Sequence, residues 1–269
     1  MDPRIDFKTA QRFGQVELID WHTKYGDFQL YVRRGLNEVK YNVGQNFARN
    51  PKSGEYIYPF SAKNMGGAEL NIDSLLNRED TWLDIGGHLG FFPIRMVRQF
   101  PRIKKVVSYE ALPHNVTFAL ENLKLNGVTN CEMIQKAISP DDRESVDFFI
   151  SNDSGKHSIL RVKGRESIQV PSININAAIE QSGATAIKMD VEGAEYYLIQ
   201  AVRDWSNIRL AVIEWHFNAM KSIKSGTRAS LFQDTIRILE NNFDEVRRIP
   251  GVEHGKHFIT HFAAIKFDK

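Results

Sequence analysis

The sequence predicts an α/β fold, a mostly parallel twisted sheet with helices on both faces. Three observations predict it. Short apolar runs at 81–85, 104–111, 186–189 and 210–216 have the length and character of buried strands. Their polar residues gather at the carboxyl ends: Asp84, Glu110, Asp190, and Glu214 with His216. Helical patterns follow these runs, and such alternation is what a parallel sheet covered by helices requires.

Composition sets the bounds. The 269 residues can bury a substantial core, and 42% hydrophobic with 25% charged residues is ordinary for a soluble globular protein. A net charge of +2 neither announces nor excludes nucleic acid. The one cysteine, Cys131, rules out an internal disulfide and a cysteine-rich metal cluster, and fits a reducing cytoplasm. No signal-peptide pattern and no membrane-length apolar run is present, so a cytoplasmic protein without a membrane partner is expected.

Residues 1–80 read as an N-terminal extension, a candidate substrate lid, and 81–269 as the main domain. Polar and apolar residues alternate from Val16 to about Val43 around Gly26-Asp27, which predicts a β-hairpin. Asn46 to Lys63 lacks a period; Tyr56, Tyr58 and Phe60 suit a packed surface loop or a lid. Ala68 to Leu76 reads as a short helix leading into the first core strand. Pro113 opens a helix, His114 to Asn126, which Gly127 closes. Cys131 to Ser139 reads as one third strand, with Val146 to Ile150 and Ile168 to Ile175 in a β-rich insertion. Asn176 is placed as the cap of a short helix, Ala177 to Gln181. Helices are expected at Ala194 to Val202 and Arg228 to Asn241, then strands near Glu245 to Ile249 and Phe258 to Phe267.

The stretch Asp84-Ile85-Gly86-Gly87-His88-Leu89-Gly90 turns a buried strand tightly into a helix. Dinucleotide binding requires Gly-x-Gly-x-x-Gly, and from Gly86 those places hold Gly86, His88 and Phe91. What remains, Asp-x-Gly-x-x-x-Gly, suits S-adenosylmethionine (SAM), which carries no phosphate but needs close backbone approach. Asp84, Gly86, Gly87, His88 and Gly90 are therefore cofactor candidates. Glu110 lies about twenty residues beyond Gly90, where such sheets place a carboxylate on ribose hydroxyls. Ala111, Leu112 and Asn115 follow it into the same site. Ala137 and Ile138 are expected against the adenine, with Leu112 on its other side.

Taken together, Asp84 to Gly90, Tyr109-Glu110-Ala111, Lys188-Met189-Asp190-Val191-Glu192-Gly193-Ala194-Glu195 and Ile213-Glu214-Trp215-His216 resemble the FkbM-type SAM-dependent methyltransferases. The resemblance covers roughly Thr81 to Phe217. It implies a class I, Rossmann-like methyltransferase fold with a final antiparallel strand, and O-methylation of sugars, polyketides or similar metabolites. His88 stands where the family more often has Asn, and Asn176 where an Asp is common. Nothing in the first eighty or so residues matches.

Methyl transfer asks for a hydroxyl held in line behind the sulfonium methyl, and a base for its proton. His216, with an ordinary pKa near neutrality, is the first candidate base. Asp190 serves either as a base or as a ligand of the SAM amine, and Glu214 shares the strand side of His216. Glu192 and Glu195 read as turn-stabilising. A divalent ion on these acids is compatible with their chemistry but is not the favoured reading, and no zinc-type spacing exists. The expected partner is a small-molecule or glycan hydroxyl. Two rival functions are an RNA 2′-O-methyltransferase, tracking phosphates with Arg33-Arg34, Arg161, Lys163, Arg165 or Arg247-Arg248, and a non-catalytic SAM-binding module.

Overall fold

The structure, a computed structural model, describes residues 15–23, 26–34, 56–57, 60–61, 75–151, 156–160, 165–216, 225–249 and 259–267. The strands β1 (Gln15–Thr23) and β2 (Gly26–Arg34) pair antiparallel as a hairpin. Thr23 pairs with Gly26, so Gly26-Asp27 lies in the second strand and not between the two. Short strands β3 (Tyr56–Ile57) and β4 (Phe60–Ser61) pair with each other. The rest of 46–63 and of the helix expected at 68–76, apart from helical Leu75-Leu76, lies outside the described residues.

The core then alternates: β5 (Thr81–Ile85), α1 (Phe91–Gln99), β6 (Lys105–Glu110), α2 (Pro113–Leu125) and β7 (Cys131–Gln135). A side sheet is built from β8 (Ala137–Ser139), β9 (Ser145–Phe149) and β10 (Ser167–Asn174). After it come α3 (Ile175–Ser182), β11 (Ala186–Met189), α4 (Glu195–Ala201), β12 (Leu210–His216), α5 (Ser225–Glu240), β13 (Glu245–Ile249) and β14 (Ile259–Ile265).

The seven-stranded central sheet has the order β13-β14-β12-β11-β5-β6-β7. From β12 to β7 all pairs are parallel, while β14 runs antiparallel to both neighbours. This is the expected mostly parallel sheet with its late antiparallel strand. Its faces follow from period-2 alternation. Leu83, Ile85, Ile187, Met189, Ala211 and Ile213 pack with Ile175, Leu198, Phe232 and Leu239 of α3, α4 and α5. Trp82, Ala186, Leu210 and Val212 turn the other way, onto Phe92 and Met96 of α1. No helix among the described residues is long and apolar enough to cross a membrane.

Two further expectations are corrected. The run from Cys131 to Ser139 is two strands: β7 holds the edge beside β6 until Gln135 pairs with Glu110, and β8 leaves to pair with β10. The cap of α3 is Asn174, whose side chain accepts from Asn176 N at 2.8 Å. Asn176 instead donates to Ala201 O and accepts from Arg203 N, at 2.9 and 2.8 Å, fastening α3 to the end of α4. An aspartate could accept there but could not donate.

The hairpin docks on α2 through side chains that act as a strand edge. Asn122 Oδ1 accepts from Tyr31 N at 2.6 Å, and its Nδ2 donates to Tyr31 O and to Leu89 O. One turn later, Asn126 makes the same reciprocal pair with Gln29. Phe28, Leu30 and Val32 of β2 then bury against Leu89, Phe91, Ile94, Phe118 and Leu123.

Candidate active site

The strands β5, β11 and β12 end together, and alternation brings polar side chains to one face. Asp84 sits two residues after Trp82, and Lys188 two after Ala186, directly opposite Asp84 in the ladder. Lys188 Nζ donates to Gly86 O at 2.8 Å and lies 3.2 Å from Asp84 Oδ1 and 3.6 Å from Asp190 Oδ2. The fully buried Asp84 accepts from Ser108 Oγ at 2.6 Å on its other oxygen. Burial disfavours the Lys188 charge, but Asp84 and Asp190 outweigh it and raise its pKa. Lys188 therefore remains a cation that ties the glycine turn to both acids. It was absent from the sequence candidates, though a lysine inside the apolar strand Ala186-Ile187-Lys188-Met189 has to find a counter-charge.

The turn is drawn tight by Gly86 N and Gly87 N, which both donate to Tyr109 O, at 3.0 and 2.9 Å. Gly86 has φ +90°, and a Cβ there would lie 2.0 Å from Asp190 O. The two halves of the site thus touch backbone to backbone. His88 adopts φ 47° without being glycine, and its N–H donates to Glu110 Oε2 at 2.9 Å. Gly90 caps α1 in the left-handed region.

Glu110 is nearly buried. Its Oε1 accepts from Leu112 N at 2.8 Å and Asn115 Nδ2 at 3.3 Å. Burial raises its pKa, against these hydrogen bonds and the Arg33 charge, which lower it. The fully buried Arg33 comes from the hairpin: its Nη2 donates to Asn115 Oδ1 at 2.8 Å, and its guanidinium stacks over Phe118. The sequence offers it only as a phosphate-tracking residue of the Arg33-Arg34 pair, because its actual neighbours come from tertiary packing.

Ala111, Leu112 and Ala137 share one apolar cluster with Val146, Phe148 and Val170. Ile138, the next residue on its strand, turns into the main core with Leu83 and Val107.

The acids converge at the other end. Glu195 is fully buried, and its Oε1 accepts from Val191 N and Gly193 N, both at 3.1 Å, so it does hold the turn. The same oxygen faces His216 Nδ1 at 2.9 Å. The far nitrogen, His216 Nε2, looks at Glu192 Oε1, Glu214 Oε1 and Asp190 Oδ1, at 3.4, 3.5 and 3.9 Å. Glu192 reaches this position from φ 53°. Burial works against the imidazolium, but Glu192, Glu195 and Glu214 outweigh it and hold the His216 pKa well above its usual value. Burial and the neighbouring acids push Glu192 up to about 8, His216 pulling the other way. Asp190 is raised as well, by burial and by Glu214. Its side chain, 30% exposed, is the most open of the group, against 20% for Glu192 and 8% for Glu214.

A family model described as the methyltransferase FkbM domain matches residues 84–249, more than half of the chain. No curated protein matches it. Among solved structures, the fibrillarin pre-rRNA processing protein of Methanococcus jannaschii is similar at 12% identity and TM-score 0.49, covering 96% of this chain and 85% of that one. Precorrin-6y C5,15-methyltransferase from Geobacter metallireducens is similar at 13% identity and TM-score 0.40, covering 77% of this chain and 94% of that one. M. jannaschii TYW2 in complex with AdoMet aligns at 15% identity and TM-score 0.41, covering 94% of this chain and 88% of that one.

Proposed function

This chain belongs to the FkbM methyltransferase family and takes its methyl group from SAM, and on that premise we propose that the acceptor is a hydroxyl of a sugar, glycan or secondary metabolite. The observation that carries the reading is the carboxylate rim beside the glycine turn. Asp190 and Glu192 open from it, with Glu214 and His216 behind. The ionised form of Asp190, the more open of the two, only accepts hydrogen bonds, so a fitting partner is one that donates them, and a hydroxyl does.

In the reaction the hydroxyl oxygen attacks the methyl carbon in line as the carbon–sulfur bond breaks. The bonding pair passes to sulfur, giving S-adenosylhomocysteine, and the hydroxyl proton goes to a base. We assign the base to Asp190. It is the most exposed of the acids, and its raised pKa makes it a stronger base than an ordinary carboxylate. His216, the first candidate from sequence, is surrounded by acids that favour its protonated form, which makes it the poorer proton acceptor. It and Glu214 shape the field around Asp190.

For the cofactor, Glu110 is assigned to the ribose hydroxyls, with Asn115 steering it. The cluster of Ala111, Leu112 and Ala137 is assigned to the adenine, and the turn from Gly86 to Gly90 to the methionine end. Asp84, closed off by Ser108 and Lys188, acts through Lys188 on the turn. Several of the described basic residues that would track an RNA backbone make contacts within the chain. Arg33 is buried, Arg247 pairs with Glu245, and Arg248 bonds Thr260 and stacks over Phe232. Arg161 and Lys163 lie outside the described residues.

The test joins calorimetry to an acceptor screen with labelled SAM. Glu110→Ala should weaken SAM binding by about 1.5–3 kcal/mol, the worth of charge-assisted hydrogen bonds. Label should appear on hydroxyl-bearing small molecules or glycans, and Asp190→Asn should cut that transfer by roughly 10²-fold or more. Transfer to RNA alone, or to nitrogen acceptors, would sink the reading.

A further inference from the structure

We propose that Asp190, Glu192 and His216 bind one divalent cation, with Glu214 beside it, at the edge where the acceptor hydroxyl is methylated. The inference rests on the reading of that edge as the methyl-transfer site and adds a group that reading does not contain.

Distance is the first argument. One ligand atom from each of Asp190, Glu192 and His216 lies within 4.8 Å of the other two. Around an ion with bonds of about 2.1 Å, ligand atoms at right angles lie about 3 Å apart and opposite ones about 4.2 Å. The oxygens of Glu192, Glu214 and Asp190 stand 3.4, 3.5 and 3.9 Å from His216 Nε2, inside that interval.

The histidine is oriented for the task. Glu195 Oε1 already accepts two backbone N–H groups, so it meets His216 Nδ1 as an acceptor, and Nε2 is the nitrogen turned to the acids. A buried carboxylate that fixes one ring nitrogen while the other faces the ion is a recurrent arrangement at metal sites. Glu195 is 0% exposed, with Oε1 on His216 Nδ1 and Oε2 accepting no hydrogen bond, so the ring it orients is held by a buried carboxylate. Lys188, the nearby cation, is spent on Asp84, Gly86 O and the far oxygen of Asp190.

One imidazole among carboxylates suits a hard or borderline ion of the Mg²⁺ and Mn²⁺ kind, and there is no thiolate to select a softer one. Such an ion would displace the imidazole proton on binding. Holding the acceptor oxygen, it would make that hydroxyl easier to deprotonate and keep it in line, as a Lewis acid does, and with Asp190 on the ion the proton would pass to solvent and not to that carboxylate.

The experiment uses the full chain stripped with chelator and titrated with Mn²⁺ alone, followed by calorimetry and by the spin-resonance signal of free Mn²⁺. SAM binding is measured on the same preparations. The expected result is one Mn²⁺ per chain, displaced by excess Mg²⁺ and weakened at least tenfold in both Glu192→Gln and His216→Ala. Retained SAM binding shows that those variants fold. No Mn²⁺ uptake by the wild-type chain, or equal uptake by both variants (an adventitious ion only), overturns the site. SAM binding without Mn²⁺ binding removes the cation and leaves the methyltransferase reading standing. Mn²⁺ binding lost in the variants, with no methylation of any hydroxyl, keeps the site and removes the acceptor assignment.

Discussion

Arg33 Nη2 donates to Asn115 Oδ1 at 2.8 Å, joining the N-terminal hairpin to the first turn of α2. With its oxygen taken, the Asn115 amide has its nitrogen left for Glu110 Oε1, 3.3 Å away. The guanidinium also favours the ionised form of Glu110, which burial opposes. A residue of the N-terminal hairpin thus orients a side chain of the proposed cofactor site.

Arg33→Met should therefore weaken SAM binding by about tenfold, roughly 1.4 kcal/mol, while leaving any acceptor KM nearly unchanged. Arg33→Lys, which keeps the charge but loses the planar fork, should recover only part of the loss. Calorimetry decides it. Unaltered SAM affinity in both variants would reduce Arg33 to a packing residue.

Docking of the hairpin has its own test. Asn122 serves Tyr31 N, Tyr31 O and Leu89 O at once. Asn122→Leu keeps the volume and strands those backbone groups, at a cost of about 1–3 kcal/mol. Urea unfolding should show the lower midpoint. If the hairpin opens alone, hydrogen exchange at Tyr31 should rise while exchange in β5 and β11 does not.

The histidines around Arg33 give a pH prediction. Burial first, and then the Arg33 charge, lower His114 from 6.5 to about 4, and His88 falls well below 6.5 for the same reasons. Their folded pKa values lie below the unfolded ones, so the fold favours the neutral rings. The stability they confer is complete above about pH 6.5 and is lost as pH falls toward 4. Glu110, with its raised pKa, acts in the opposite sense, since its buried charge is relieved on protonation. Comparing wild type with His114→Gln isolates one group: the variant should lose on the order of 1–2 kcal/mol less between pH 7 and 4.5. Parallel stability curves would mean that His114 titrates normally.

Much of this architecture was legible from local pattern. Short apolar runs such as Leu210 to Trp215 have the length of buried strands, and parallel strands deliver their polar last residues to one edge. Asp84, Glu110, Asp190, Glu214 and His216 are therefore gathered by the sequence pattern alone. What stayed hidden depends on contacts distant in sequence. Cys131 to Ser139 is continuous in pattern, and only the pairing of β8 with β10 divides it. Arg33 reads as a surface arginine until the hairpin is laid on α2. His216 reads as a base until Glu195 and three more acids surround it.

The last prediction concerns the contact between the two halves of the site. Gly86 holds φ +90°, which a side chain rarely tolerates, and an added Cβ would stand 2.0 Å from the carbonyl oxygen of Asp190. That oxygen is backbone and has no rotamer to escape through. Either β5 and β11 separate at their ends or the turn changes its path. Separation would pull Lys188 Nζ from Gly86 O, and a changed path would lift His88 N from Glu110 Oε2. Gly86→Ala should then cost about 3 kcal/mol or more, combining strain and overpacking, and SAM binding should fall below detection even where the chain still folds. Gly127→Ala is the control, since φ +63° strains it while a Cβ there meets nothing within 4 Å. It should lose stability by about 1 kcal/mol and keep SAM affinity. Normal SAM binding in Gly86→Ala would show that the glycine turn does not form the cofactor site.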